Sequence, residues 1–175
     1  KVLMQVKIKS VKARLPLSKI KSKNMETTWK VDTMHSEVGF KVRHMMISNV
    51  SGSFGSFDAH ATTAGDDFST AQFSFNADIA SINTGVADRD GHLKSADFFD
   101  AEQYPALTFS STGVTQINDD TLEIAGTMQI KGQSKPVVLK AEYAGIAVDP
   151  YGQTKAGMTI SGSIKRSDFG LTWSA

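Results

Sequence analysis

The segment 32–44 alternates apolar and polar residues with a period of two, which is the pattern of a β-strand with one buried face. Val38, Phe40 and Val42 share one parity, whereas Lys41 lies on the other. The same alternation returns in most later segments, which are separated by Gly, Asn, Asp or Pro. Such a chain has to pack its strands around one apolar interior, so we predict an all-β fold.

The lengths of the predicted strands indicate how the sheet is arranged. Several exceed the usual length of about five or six residues, which suits the staves of an extended antiparallel β-barrel better than a compact sandwich. Short connections, such as 118–120 and 131–134, favour an up-and-down order. The predicted strands lie near 2–12, 27–32, 36–46, 49–60, 67–80, 106–117, 121–131, 136–147 and 154–165.

Residues 82–105 lack the period of two. Val86, Leu93 and the pair Phe98 and Phe99 fall where one or two short helical turns would direct them inward. We expect a short helical crossover here, with the Ser95 hydroxyl capping a second turn by accepting a backbone N–H. A crossover between long strands covers one end of a barrel, so we place the mouth of any cavity beside it.

Length and composition limit the class of protein. A chain of 175 residues is most simply one domain with a sizeable core. No apolar run approaches the roughly 18 to 20 residues of a membrane-spanning helix, so we expect no integral membrane segment. The chain has no cysteine, which removes disulfides, thiol nucleophiles and cysteine-based zinc sites.

Charge is distributed unevenly along the chain. Residues 1–24 contain eight Lys or Arg and no acidic residue, which leaves 11 basic against 18 acidic residues in 25–175, a net charge of −7. An acidic body without a basic stripe is a poor partner for nucleic acid. The basic segment lacks the apolar region of a secretion signal. We therefore expect a cytoplasmic protein, with a periplasmic location compatible with a processed or engineered chain.

The inward positions of the predicted strands are almost wholly apolar and unusually bulky. Such an interior is either a filled core or a cavity that accepts a long hydrocarbon, and the pattern alone leaves both open. For a cavity, we predict a continuous tunnel that reaches the crossover. The side chains expected to contact a ligand are Phe40, Val42, His44, Phe54, Phe73, Phe75, Leu93, Phe98, Phe99, Phe109, Ile124, Met128, Met158 and Ile160.

Few side chains in this sequence are suited to catalysis or to metal binding. His35 and His44 are an odd number of residues apart, so on a regular strand they point to opposite faces and cannot share a metal ion. The acidic residues of 88–97 are explained as solvated loop carboxylates and helix-end charges. We assign no catalytic residue, metal or cofactor. An enzyme that acts on a bound lipid, with His44 or the 88–97 cluster as acid–base group, and a filled-barrel interaction module remain alternatives.

His44 ends an apolar row, where it is either a neutral core histidine or a hydrogen-bond donor to a ligand head group. For an anionic head group, Arg89 and Lys94 on the crossover could assist.

Several separate motifs, in order, resemble the YceI-like family over about residues 27–173. What the resemblance implies is a lipocalin-like barrel with an elongated apolar cavity that binds polyisoprenoids or other long-chain lipids without being an enzyme, and that often pairs into homodimers. The motifs are Asp32-x-x-His35-Ser36-x-Val38-x-Phe40-x-Val42-x-His44, Ser48-x-Val50-x-Gly52-x-Phe54, Asp88-Arg89-Asp90-x-His92-Leu93-x-Ser95-x-Asp97-Phe98-Phe99-Asp100, Tyr104-Pro105-x-Leu107-x-Phe109, Gly126, Gly132 and Arg166-x-Asp168-Phe169-Gly170-Leu171-x-Trp173.

The two ends of the chain depart from this family pattern. Family members usually continue past the last motif into a closing barrel strand, whereas this chain ends at Ala175, two residues after Trp173. An alternating segment, residues 2–9, precedes the resembling region instead. We therefore expect residues 1–24 to supply a closing strand that pairs near 29–31, with the preceding strands of the barrel, or with both. Residues 25–175 are expected to form the lipid-binding barrel. A truncated barrel with an unrelated leader is the alternative.

Overall fold

A computed structural model describes residues 2–7, 11–13, 26–44 and 48–172, and the side chains of 26–42 and 49–172. Within these ranges the protein has twelve β-strands and one α-helix, α1 (Ala87–Lys94). The strands are β1 (Val2–Lys7), β2 (Val11–Ala13), β3 (Glu26–Val31), β4 (Glu37–His44), β5 (Ser48–Phe54), β6 (Phe57–Ala64), β7 (Asp67–Asp78), β8 (Ile82–Asn83), β9 (Ala106–Asn118), β10 (Thr121–Ile130), β11 (Gln133–Val148) and β12 (Thr154–Ile164).

Antiparallel pairings join the strands into a closed sheet. β12 pairs with β11 along one edge and with β1 and β2 along the other. β1 pairs onward with β4, and β2 with β3. From β3, the pairings run through β6, β7, β9 and β10 back to β11. The all-β, extended antiparallel lipocalin-like barrel with a short helical crossover is therefore confirmed.

The first two described strands, β1 and β2, are both paired with neighbouring strands of the barrel. β1 is hydrogen-bonded on both edges, with Val2 opposite Ile164 on one side and Val42 on the other. β2 places Ala13 opposite Trp29. Residues 14–25 lie outside the described ranges, so the division of the chain at residue 24 stays a prediction.

Two predicted strands differ in detail. The predicted strand 49–60 is divided at Gly55 and Ser56 into β5 and β6, and β6 continues to Ala64. The predicted strand 2–12 comprises β1 and β2, and residues 8–10 between them lie outside the described ranges.

β10 and β11 meet in a two-residue turn, Lys131 and Gly132, both with positive φ. That turn type matches the twist of an antiparallel hairpin.

The crossover consists of α1 and the turns that follow it. The Ser95 hydroxyl donates to the His92 carbonyl at 2.8 Å, and among the described residues no backbone N–H donates to it, which differs from the expected cap. Instead, the Ser95 carbonyl accepts the backbone N–H groups of Phe98 and Asp100. Phe98 and Phe99 follow directly and pack against the barrel core. In the part of the chain that the structure describes, no helix is long and apolar enough to cross a membrane.

Candidate ligand-binding site

The barrel interior contains a cavity at its middle, here named the central cavity. It has about 800 Å³ of empty space, part of it open to solvent. Its walls come from β6, β7 and β9 to β12. The lining residues are Ala59, His60, Ala61, Phe68, Phe73, Ser74, Phe75, Phe109, Ile124, Met128, Leu139, Met158, Ile160, Ser161, Gly162 and Ile164.

Inward glycines let large side chains lie against the barrel wall. Gly126 faces inward on β10, and a Cβ there would come within 2.5 Å of the Phe109 ring and of the Ser110 carbonyl oxygen. Gly162 on β12 is covered in the same way by the Leu139 side chain. Because the missing side chains make room beside the backbone, these bulky groups pack directly over the sheet.

A second apolar cavity lies under the helical crossover and is here named the crossover cavity. It has about 520 Å³ of empty space, part of it open to solvent. The crossover and strands β4, β5, β9 and β10 contribute most of its walls. The lining residues are Phe40, Val42, Phe54, Leu93, Phe98, Phe99, Leu107, Ile130, Ile164, Arg166 and Leu171.

The structure places every predicted contact residue whose side chain it describes on one of these two cavities. Seven line the central cavity: Phe73, Phe75, Phe109, Ile124, Met128, Met158 and Ile160. Six line the crossover cavity: Phe40, Val42, Phe54, Leu93, Phe98 and Phe99. The backbone of His44 pairs with Ser48, but its side chain lies outside the described residues. Contact of these residues with a ligand stays a prediction.

The expected single tunnel takes the form of two adjoining cavities. They meet at Ile164, which lines both of them. Sequence parity identifies Ile164 as inward-facing but gives no sign that it lies between two spaces.

Arg166 is a lining residue that the site prediction missed. It lies in the 3₁₀ turn 166–169 that follows β12, and it is half-buried at the wall of the crossover cavity. No Lys and no other Arg lines either cavity among the residues that the structure describes. A guanidinium at the wall of an apolar space can bind the phosphate or carboxylate of an amphiphile. Its place in the Arg166-x-Asp168 motif was the available signal.

Arg89, which was expected to assist an anionic head group, forms hydrogen bonds within the crossover. Its guanidinium donates to the Thr84 hydroxyl at 2.8 Å and to the Thr84 carbonyl at 3.0 Å. Thr84 in turn donates its hydroxyl and its backbone N–H to the Asp90 carboxylate at 2.6 and 2.8 Å. The hydrogen bond from the Thr84 hydroxyl is the main cause that holds the pKa of Asp90 below its usual value.

Asp90, one acidic residue of the 88–97 cluster, therefore has a structural role, because its carboxylate joins α1 to Thr84, which precedes the helix. Within the ranges that the structure describes, no group of three or more His, Cys, Asp or Glu side chains is placed to hold a metal ion. Another polar cluster surrounds the buried carboxylate of Asp32, where Oδ2 lies 3.0 Å from His35 Nδ1 and 3.8 Å from Lys155 Nζ. Neither cavity is lined by these three residues.

Comparison with known proteins gives consistent similarities. Residues 29–175 match the family model of the YceI-like domain. The chain is 36% identical over 145 residues to protein YceI of Escherichia coli, covering 82% of this chain and 75% of that protein. It is 35% identical over 137 residues to a UPF0312 protein of Vibrio cholerae, covering 78% and 72%. The crystal structure of the Campylobacter jejuni YCEI protein superposes with a TM-score of 0.65 at 36% identity, covering 87% of this chain and 85% of that chain.

Proposed function

Because this chain belongs to the YceI-like family, we propose that it binds a long-chain amphiphile inside the barrel, with an isoprenoid as the leading ligand, and carries or sequesters it. One observation supports this most directly. The barrel interior contains two adjoining cavities with almost wholly apolar walls. A flexible hydrocarbon chain has the matching apolar chemistry.

The energetics of such binding require no polar contact. Each buried CH₂ contributes about 0.8 kcal/mol, so one isoprene unit contributes roughly 4 kcal/mol before the cost of ordering the chain is subtracted. Two or three units are then enough for stable binding. Arg166, at the wall of the crossover cavity, is the group that we assign to an acidic head group.

Binding, without catalysis, is the activity that this interior supports. Acid–base chemistry requires titratable groups directed at the ligand, and the described lining of both cavities holds His60 and Arg166 as its only ionisable side chains. His60 is exposed and hydrogen-bonded to the Asp58 carboxylate at 2.8 Å. Neither residue is part of a nucleophile–base pair.

Native mass spectrometry of the purified protein, followed by organic extraction of the same sample, tests this function. We expect a co-purifying hydrophobic ligand that extraction releases unchanged. Its absence from preparations made in several hosts, together with no binding of added farnesol, would contradict the proposal and favour an interaction module. Turnover of the extracted lipid would favour an enzyme. The intact mass also reports whether the chain pairs into homodimers.

A further inference from the structure

The boundary between the two cavities lies at one level of the barrel. On β9, Phe109 lines the central cavity and Leu107 lines the crossover cavity. On β10, Met128 lines the central cavity and Ile130 lines the crossover cavity. Met128 pairs with Phe109, so both strands change cavity at the same height. The two spaces are therefore stacked along the barrel.

Ile164 lies at this boundary. Among the residues whose side chains the structure describes, it alone lines both cavities. It is 8% exposed, and its backbone pairs with Val2 of β1 at the end of β12. Because a β-branched side chain has a strongly restricted χ1, Ile164 is a stiff obstacle, unlike the flexible Met128 and Met158 beside the central cavity.

We infer that Ile164 is a specificity-determining residue that sets the length of hydrocarbon chain which the barrel accepts. This inference rests on the proposed function. A chain gains free energy for each carbon that enters apolar space. Once its end meets Ile164, further carbons must displace a packed, stiff side chain or remain outside. The affinity should therefore rise with chain length up to a break, and the size of residue 164 should move that break.

The direct test measures dissociation constants for geraniol, farnesol and geranylgeraniol by competition with fluorescent retinol. In Ile164→Ala the break should move to a longer chain, with about tenfold tighter binding of the longest prenol and little change for the shortest, since one buried CH₂ corresponds to about fourfold in affinity. Ile164→Phe should weaken the longest prenol by a similar factor. Ile164→Val provides a milder change if Ile164→Ala is too unstable.

The matched control is Ile160→Ala. Ile160 lies on the same strand and has nearly the same exposure, 7%, but lines the central cavity alone. This variant leaves Ile164 in place, so the break should stay at the chain length found for the wild type. Identical length profiles for Ile160→Ala and Ile164→Ala, or an unchanged profile in Ile164→Phe, would overturn the inference.

Crystals under xenon pressure separate this inference from the proposed function. We expect separate xenon sites in the two cavities of the wild-type protein and an additional site between them in Ile164→Ala. Continuous density in the wild type, or no bridging site in the variant, would overturn the role of Ile164. A wild-type protein that binds no prenol would contradict the proposed function, and the xenon result alone would then decide whether Ile164 divides the interior.

Discussion

Trp29 Nε1 donates a hydrogen bond to Thr63 Oγ1 at 2.8 Å, and this bond ties β3 to β6 inside the barrel. Trp29 is fully buried, and its ring packs against Phe68 with 4.9 Å between the ring centroids. The Thr63 hydroxyl in turn donates a hydrogen bond to the Gly65 carbonyl. A buried indole N–H thus has a partner that is itself held in place.

Replacing Thr63 with Val should destabilise the fold, because the Trp29 N–H would stay buried without an acceptor. We expect a loss of about 1–3 kcal/mol in the free energy of unfolding, measured by urea denaturation with circular dichroism. Thr62→Val on the same strand is the control and should stay within about 0.5 kcal/mol of the wild type. Equal stabilities of the two variants would contradict a role for this hydrogen bond.

Filling the central cavity should shorten the chain that binds there. Met158→Trp introduces a larger side chain into the lining and should weaken geranylgeraniol more than geraniol, at a cost in stability of about 1–3 kcal/mol from overpacking. Val138→Trp is the control, because Val138 is 56% exposed on β11 and lines neither interior cavity. Equal losses for both prenols in Met158→Trp would argue against a hydrocarbon chain in this cavity.

Arg166 should distinguish charged from neutral amphiphiles. Arg166→Gln removes the cation at the wall of the crossover cavity, so farnesyl phosphate should bind at least tenfold more weakly, as expected for a loss of about 1.5–3 kcal/mol in a charged hydrogen bond. Farnesol should bind almost as before. The neighbouring Lys165 is exposed and lines neither cavity, so Lys165→Gln serves as the control. Equal weakening of both ligands by Arg166→Gln would exclude a head-group contact.

The contact between Asp90 and Thr84 should give the crossover a response to acid. The hydrogen bonds from Thr84 lower the pKa of Asp90 below 3.8 in the folded protein. The contribution of the carboxylate to stability is therefore fully present above pH 3.8 and is lost as the pH falls through the lower folded pKa. The amide proton shift of Thr84, followed by NMR, should titrate with a midpoint below 3.8 and should lose this step in Asp90→Asn. A midpoint at or above 3.8 would contradict this.

Much of the barrel could be predicted because apolar and polar residues alternate along any strand that has one solvent-facing and one buried face. On β10 every second residue from Leu122 to Ile130 is buried. The pattern fails on β7, where Phe68 and Ala71 are both buried although they are an odd number of residues apart. A register shift between β6 and β7 at Thr62 and Ala64 accompanies this change. Phe68, which lines the central cavity, was missed for that reason.

Other parts of the site depend on packing between distant segments. Arg166 follows the last strand in a 3₁₀ turn, where no period of two can assign it a side. Ile164 has the expected inward parity, but its place between two cavities depends on the crossover that covers one of them. Parity identifies which side of a sheet a residue occupies, and it carries no information on height along the barrel.

The position of β1 also determines when the barrel can be completed during synthesis. Val2 pairs with Ile164, a residue far later in the sequence, so this edge of β1 must wait for a strand that is synthesised much later. Contacts between such distant residues slow folding and leave strand edges unpaired in the meantime. β4, the other partner of β1, emerges much earlier and can cover one edge of β1. The nascent chain therefore exposes one unpaired edge of β1 until β12 is made, and unpaired strand edges are prone to aggregation.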